Sequence, residues 1–210
     1  MIPPNKYKLK IMNRRVCLFT VLLLLGFSRV LFSHPHIFVA NSLSMVFDDQ
    51  GLAGVRVKWD FDEFFSSMIV GDYDLNKNSK LDASEIALIK KEAFANLAEF
   101  KYFTFIKING KSFDVQYVLD FQAILIQGKL VYEFFIPCHV KAASSFKEFT
   151  ISQHDTTYYT YVGFAKDRPS RIEGGAAFEI NHRIAENPNE TYYFGMMHPV
   201  EVILRFRLKK

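Results

Sequence analysis

The sequence predicts an α+β protein that is mainly β: an antiparallel β-sandwich with an inserted EF-hand-like helix-loop-helix. Three observations predict it. Apolar and polar residues alternate along several short segments, the signature of half-buried strands. The period turns helical only between about 61 and 100. The chain also holds 22 Phe and 10 Tyr, side chains that suit pleated, densely packed surfaces.

Residues 1–33 stand apart from that domain. They carry Lys6, Lys8, Lys10, Arg14, Arg15 and Arg29 and no acid, and Val16 to Phe27 is apolar up to Gly26. That run is about a dozen residues, whereas a spanning helix needs ~20. A basic start, a short apolar centre and Leu31 and Ser33 at the exit predict a signal peptide cleaved before His34, with an uncleaved anchor as the plainer alternative. The product would be periplasmic or secreted. Of 26 basic and 22 acidic residues, removing the leader's six leaves 20 against 22. The basic balance is therefore a targeting signal, and without a basic stripe nucleic-acid binding is rejected. Cys17 falls in the leader, so Cys138 alone remains and no internal disulfide can form. It reads as a small buried hydrophobe, with the neighbouring His139 pointing to the opposite face.

Residues 34–210 suit one domain with a helical insertion at about 61–100. Ile37, Val39, Leu43, Met45 and Phe47 alternate, Asp48 to Gly51 turns, and Val55, Val57, Trp59 and Phe61 alternate again, a hairpin. A second hairpin turns at Asn109-Gly110 and returns through Phe113, Val115, Tyr117 and Leu119; a third turns at Gln127-Gly128. Strands follow near 147–153, 158–163, 176–182 and 200–208, and 166–175, with Pro169 and Gly174-Gly175, reads as a loop. In the insertion, Phe61, Phe64, Phe65, Met68 and Ile69 share one helix face, and Ile86, Ile89, Ala93, Leu97 and Phe100 another.

The linker between those helices carries the sharper chemistry. With Leu81 in the aliphatic eighth place of an EF-hand loop, Asp74, Asn76, Asn78, the Lys80 carbonyl, Asp82 and Glu85 occupy the ligand positions. Calcium takes six to eight oxygens, and this spacing wraps them around one ion. Ser79 stands where glycine is usual, and Lys77 and Lys80 dilute three carboxylates, so the expected affinity is weak, on the order of 10⁻⁴–10⁻³ M. The alternative is a metal-free turn in which Asp82 and Glu85 form a helix capping box. A bound calcium ion would lock the two helices and not switch them.

Cleavage before His34 would expose an α-amine beside an imidazole, and His36 lies two residues on, on the same strand face. Such donors suit Ni²⁺, Co²⁺, Zn²⁺ or Cu²⁺. Pro35 has no N–H and blocks the square-planar chelate through backbone amides, so further ligands are needed. His154 with Asp155, or His182 and His198, are candidates that spacing does not fix. The plainer alternative is that His34 and His36 begin an edge strand.

His34-Pro35-His36-Ile37-Phe38-Val39, Trp59 to Phe64, the 74–85 loop and Asp155-Thr156-Thr157-Tyr158-Tyr159 together resemble domain-of-unknown-function family 1007. These are exported bacterial proteins labelled as periplasmic components of an uncharacterised ABC-type transport system. The resemblance spans nearly all of 34–210 and implies a role near nickel/cobalt-type membrane transporters. The family has no established activity, so it supplies no catalytic residues. The chain is accordingly expected not to be an enzyme. Asp60, Asp62 and Glu63 read as a capping cluster, and no phosphate loop, nucleophile elbow or zinc-protease helix is present in the sequence. The expected function is a metal-binding accessory of an inner-membrane divalent-metal transporter. The alternative is a calcium-stabilised interaction module without transition-metal chemistry.

Overall fold

The computed structural model describes residues 35–209. The leader, Cys17 and His34 lie outside the described residues. The described residues form one compact unit.

Strands β1 (Ile37–Phe47) and β2 (Gly51–Phe61) form the expected hairpin. Asp48 builds its turn by accepting the N–H groups of Gln50 (2.8 Å) and Gly51 (2.9 Å) through one carboxylate oxygen. Gly51 has φ +154°, and a Cβ there would meet the Val140 carbonyl at 2.3 Å, so no other residue fits. Strands β3 (Thr104–Ile108), β4 (Lys111–Phe113), β5 (Leu119–Ile126), β6 (Lys129–Lys141), β7 (Lys147–Gln153), β8 (Thr160–Phe164), β9 (Ser170–Glu173), β10 (Phe178–Glu186) and β11 (Val200–Leu208) follow. One sheet runs β5-β6-β2-β1-β8, with β9 also on β1; the other runs β10-β11-β7-β3-β4. Edge-to-face packing of Phe47 and Phe206, centroids 5.1 Å apart, joins the two sheets. Trp59, Phe134, Phe149 and Phe206 are among the largest fully buried side chains.

The β-rich class and two-sheet arrangement are as expected, with differences in detail. Strands β8 and β9 pair with β1 in parallel, so the first sheet is mixed. Residues 170–173, expected in a loop, are strand β9. The return of the Asn109-Gly110 hairpin is only three residues long, because Asp114 to Val118 leave the sheet. The second helix does not continue as one α-helix to Phe100: it is α-helical only over Ala83–Ile89.

Helix α1 is Glu63–Tyr73 and α2 is Ala83–Ile89; a π turn (Lys90–Phe94) and a 3₁₀ stretch (Ala95–Phe103) carry on to β3. The 3₁₀ stretch breaks at Lys101 and Tyr102, with φ near +50°. That break lets Tyr102 turn into the core against Phe94, while Phe100 is half exposed. The buried face of α1 is rotated from the one expected. Phe64 and Met68 are exposed, Phe61 belongs to β2, and Ile69 and Ser66 are buried. Ser66 donates to the Asp62 carbonyl (2.6 Å) and accepts the Leu130 N–H (2.9 Å), so a hydroxyl joins the apolar Ile69 and Phe65 in docking the helix, and ties it to β6. No helix among the described residues is long and apolar enough to cross a membrane.

Candidate functional site

The acidic loop is a helix-loop-helix in fact. Asp74 caps the end of α1, its N–H bonded to the Val70 carbonyl at 3.0 Å. Its carboxylate turns inward, accepting the N–H groups of Asn78 (3.1 Å) and Ser79 (2.8 Å). The Asn76 side-chain oxygen meets the same Asn78 N–H at 3.1 Å, and that of Asn78 accepts the Lys80 N–H at 2.8 Å. The oxygens of positions one and three therefore converge on one amide. Leu81 packs against the core, as its register requires. Ser79, where glycine is usual, adopts φ +59°, and Lys77 +56°. The loop takes the left-handed bend that glycine would make freely, at a cost of roughly 1–2 kcal/mol per residue.

The far end of the loop is also the capping box. Asp82 accepts the N–H groups of Ser84 (2.9 Å) and Glu85 (3.0 Å), and Glu85 accepts the Asp82 N–H (2.9 Å). Bonds from the Ser84 hydroxyl, and then from the Glu85 amide, hold the Asp82 carboxyl below its usual range. The other oxygen of buried Glu85 accepts Leu75 N–H at 2.8 Å and stitches the loop's two ends together. Capping and ligation are not exclusive, since a carboxylate offers about four lone-pair directions. Among the described residues, no three His, Cys, Asp or Glu side chains are grouped as a ready metal centre. A calcium ion here would draw on amide and carbonyl oxygens as well.

His36, the imidazole expected to add to the His34 amine–imidazole pair, is exposed at the entry to β1. Its backbone is firmly held. His36 N–H donates to the Tyr159 carbonyl (2.8 Å), and the two rings lie 4.9 Å apart. Tyr159 is positioned by Asp155, whose carboxylate accepts the Thr157 N–H and hydroxyl and the Thr160 N–H at 2.7–3.0 Å. Two residues beyond His36, Phe38 N–H donates to Asp62 (2.7 Å), which with its other oxygen caps α1 at Phe65 N–H (2.9 Å). Asp62 is thus a capping residue, and also a tie between helix and strand. Asp155 and Asp62, both in the segments behind the family resemblance, are fasteners around the start of β1.

The other histidines part company. His182 is exposed on β10. His154 and His198 line one cavity of about 400 Å³. The His154 ring is sandwiched between Phe105 and Tyr192, centroids 4.2 and 4.3 Å away. Burial drives its pKa down to about 4, against the opposing pull of Glu190 and Asp155. Cys138 is buried and its thiol is pushed up to about 12 by desolvation, so it is an inert core residue.

Sequence reasoning missed one buried polar chain. Trp59 Nε1 donates to Gln153 Oε1 (2.9 Å), Gln153 Nε2 to Thr104 Oγ1 (2.8 Å), and Thr104 to the Tyr102 carbonyl (2.8 Å). It joins β2 to β7 and β3 through the core, and a lone tryptophan on an alternating strand was the one available hint of it.

Fold and loops together describe a β-sandwich with a helical insertion between its second and third strands. The chain belongs to the protein family of unknown function DUF1007, whose match covers residues 19–195. It is similar to an uncharacterised 15.5 kDa protein encoded in the trpE 3′ region of Spirochaeta aurantia, 27% identical over 131 residues, 62% of this chain and 93% of that protein. An uncharacterised protein of Haemophilus influenzae is 25% identical over 153 residues, 70% of each chain.

Proposed function

We propose that the protein is an exported β-sandwich interaction module whose helical insertion is stabilised by calcium, serving as an accessory to a membrane transporter of divalent metals. The observation that supports it is the 74–85 loop. The side-chain oxygens of Asp74, Asn76 and Asn78 turn into the loop in the order an EF-hand needs, and Ser79 accepts the strained bend that brings them there. The role beside a transporter rests on the family resemblance alone. The test is thermal unfolding of the exported protein with and without millimolar calcium. Calcium should raise Tm in the native protein and not in Glu85→Gln, with magnesium much less effective. No calcium shift, or an equal shift in the variant, overturns the reading.

A second reading is favoured by the clamped, exposed position of His36: a transition-metal site completed by His34 and its freed amine. N-terminal sequencing of exported protein, followed by titration with nickel, cobalt, zinc and copper, decides it. Stoichiometric binding that an added N-terminal residue abolishes supports delivery or buffering of the metal. A different N-terminus removes the chelate.

A further inference from the structure

Exposed aromatic rings gather at one end of the first sheet. Phe38 of β1 lies opposite Tyr161 of β8, ring centroids 6.1 Å apart, two residues on from the contact of His36 with Tyr159. From Tyr161 the rings run on without a break: to Tyr158 at 6.3 Å, then Tyr193 at 5.1 Å, then Phe194 at 5.4 Å. Phe38, Tyr159, Tyr161 and Met196 are about half exposed, and Phe194 is 92% exposed. Contiguous apolar surface of this kind marks a place where something docks.

The turn that carries Phe194 is firmly closed. Tyr192 and Met197 exchange N–H···O bonds (2.9 and 3.3 Å), and the N–H groups of Gly195 and Met196 donate to the Tyr192 and Tyr193 carbonyls (both 3.1 Å). Within it Tyr193 and Phe194 have φ of +46° and +56°, left-handed backbone that bulky side chains rarely adopt. Backbone strain is thus tolerated where it holds a phenylalanine out in water, and such strain tends to accompany function. Residues 156–165 and 191–200, which supply most of the rings, contain no Asp, Glu, Lys or Arg.

We propose that this aromatic end docks on a lipid bilayer, with Phe194, Met196 and Phe38 entering the interface and the tyrosine rings lying at headgroup level. Tyrosine suits that level because its ring is apolar and its hydroxyl stays wet. A surface without formal charge enters without desolvating an ion. A ring on a projecting turn needs a matching pocket in a protein partner, whereas a fluid bilayer receives it without one. The covalent path agrees: residues 28–35 alone join this end to the apolar run Val16–Phe27, a reach of at most about 30 Å. The domain therefore emerges at export with its aromatic end beside the membrane. The inference rests on the export part of the proposed function and is independent of the calcium loop.

The test is co-sedimentation of exported protein, its N-terminus sequenced first, with phosphatidylethanolamine–phosphatidylglycerol vesicles and with phosphatidylcholine vesicles. Weak, reversible binding to both is expected, and added salt should change it little. Phe194→Ser should weaken binding about tenfold with unchanged Tm, and Phe38→Ser should weaken it as well. Tyr117→Ser is the control. Tyr117 is exposed beside Pro137, which pairs with Gly54 at the end of β2 remote from Asp60 and Ala40, so its loss should leave binding unchanged. Spin-labelled lipid should broaden the Phe194 amide in NMR well before that of Tyr117. No sedimentation with either vesicle, an equal loss in Tyr117→Ser, or binding indifferent to Phe194→Ser, as a retained leader would produce, overturns the inference. So does a concentration-dependent dimer that Phe194→Ser abolishes without any vesicle binding, since the patch then belongs to a second copy of the chain.

Discussion

Single side chains in this protein carry connections that their neighbours could not. Asp62 spends one oxygen on α1 and the other on β1, so Asp62→Ala removes a helix cap and a strand tie together. The expected loss is about 1–2 kcal/mol in urea unfolding, with Asp62→Asn closer to native because an amide oxygen still caps. An unchanged midpoint for the alanine variant refutes the tie. Ser79 predicts the reverse sign. Its φ of +59° strains any side chain, and Ser79→Gly should stabilise the protein by roughly 1 kcal/mol and tighten calcium binding. His154 sets a pH dependence. Its folded pKa of about 4 lies below the ordinary 6.5, so between those values the unfolded chain binds more protons than the folded one. This contribution to stability is complete above pH 6.5, declines as pH falls through the window, and has been lost below about 4. His154→Gln should flatten that part of the stability profile; an unaltered slope would mean the ring is not buried neutral.

At the scale of elements, what could be read from the sequence depended on whether a segment's partner mattered. Strands β1, β2 and β11 each bury one face, so their period of two was plain in Val39, Leu43, Val57, Trp59, Leu204 and Phe206. The parallel pairing of β8 and β9 was not legible, because alternation records burial and carries no direction. Strand β9 is four residues between Pro169 and Gly174, too short for a period, and it exists because β1 offers it an edge. Helix α1 misled because Phe64 and Met68 completed an apolar face that the fold leaves exposed, whereas polar Ser66 is buried beside Ile69. The 74–85 loop was legible because its chemistry is local, every ligand position lying within twelve residues. The cavity of Asn41, His154 and His198 was not, since those residues come from β1, the end of β7 and the entry to β11, and only the fold brings them together.

For the whole molecule, the decisive element stands near the chain's end. Strand β11, Val200–Leu208, lies past the 19–195 span of the family match, yet it is interior to its sheet, between β10 and β7. Val202, Leu204 and Phe206 are 0% exposed, and Phe206 also packs edge-on against Phe47 of the opposite sheet. Burying each such side chain contributes roughly 1.5–3 kcal/mol, so three amount to a large part of the ~5–15 kcal/mol by which domains are stable. Losing the strand also strips the β10 and β7 edges of their hydrogen-bond partners, which removes more than side-chain burial. A chain ending at Pro199 should therefore lack a cooperative thermal transition and show collapsed amide dispersion by NMR, where Leu208→Ser at the half-exposed end of the strand should be near neutral. If the truncated chain unfolds cooperatively near the native Tm, the second sheet does not depend on β11, and the core must be held chiefly by the sheet that contains β1 and β2.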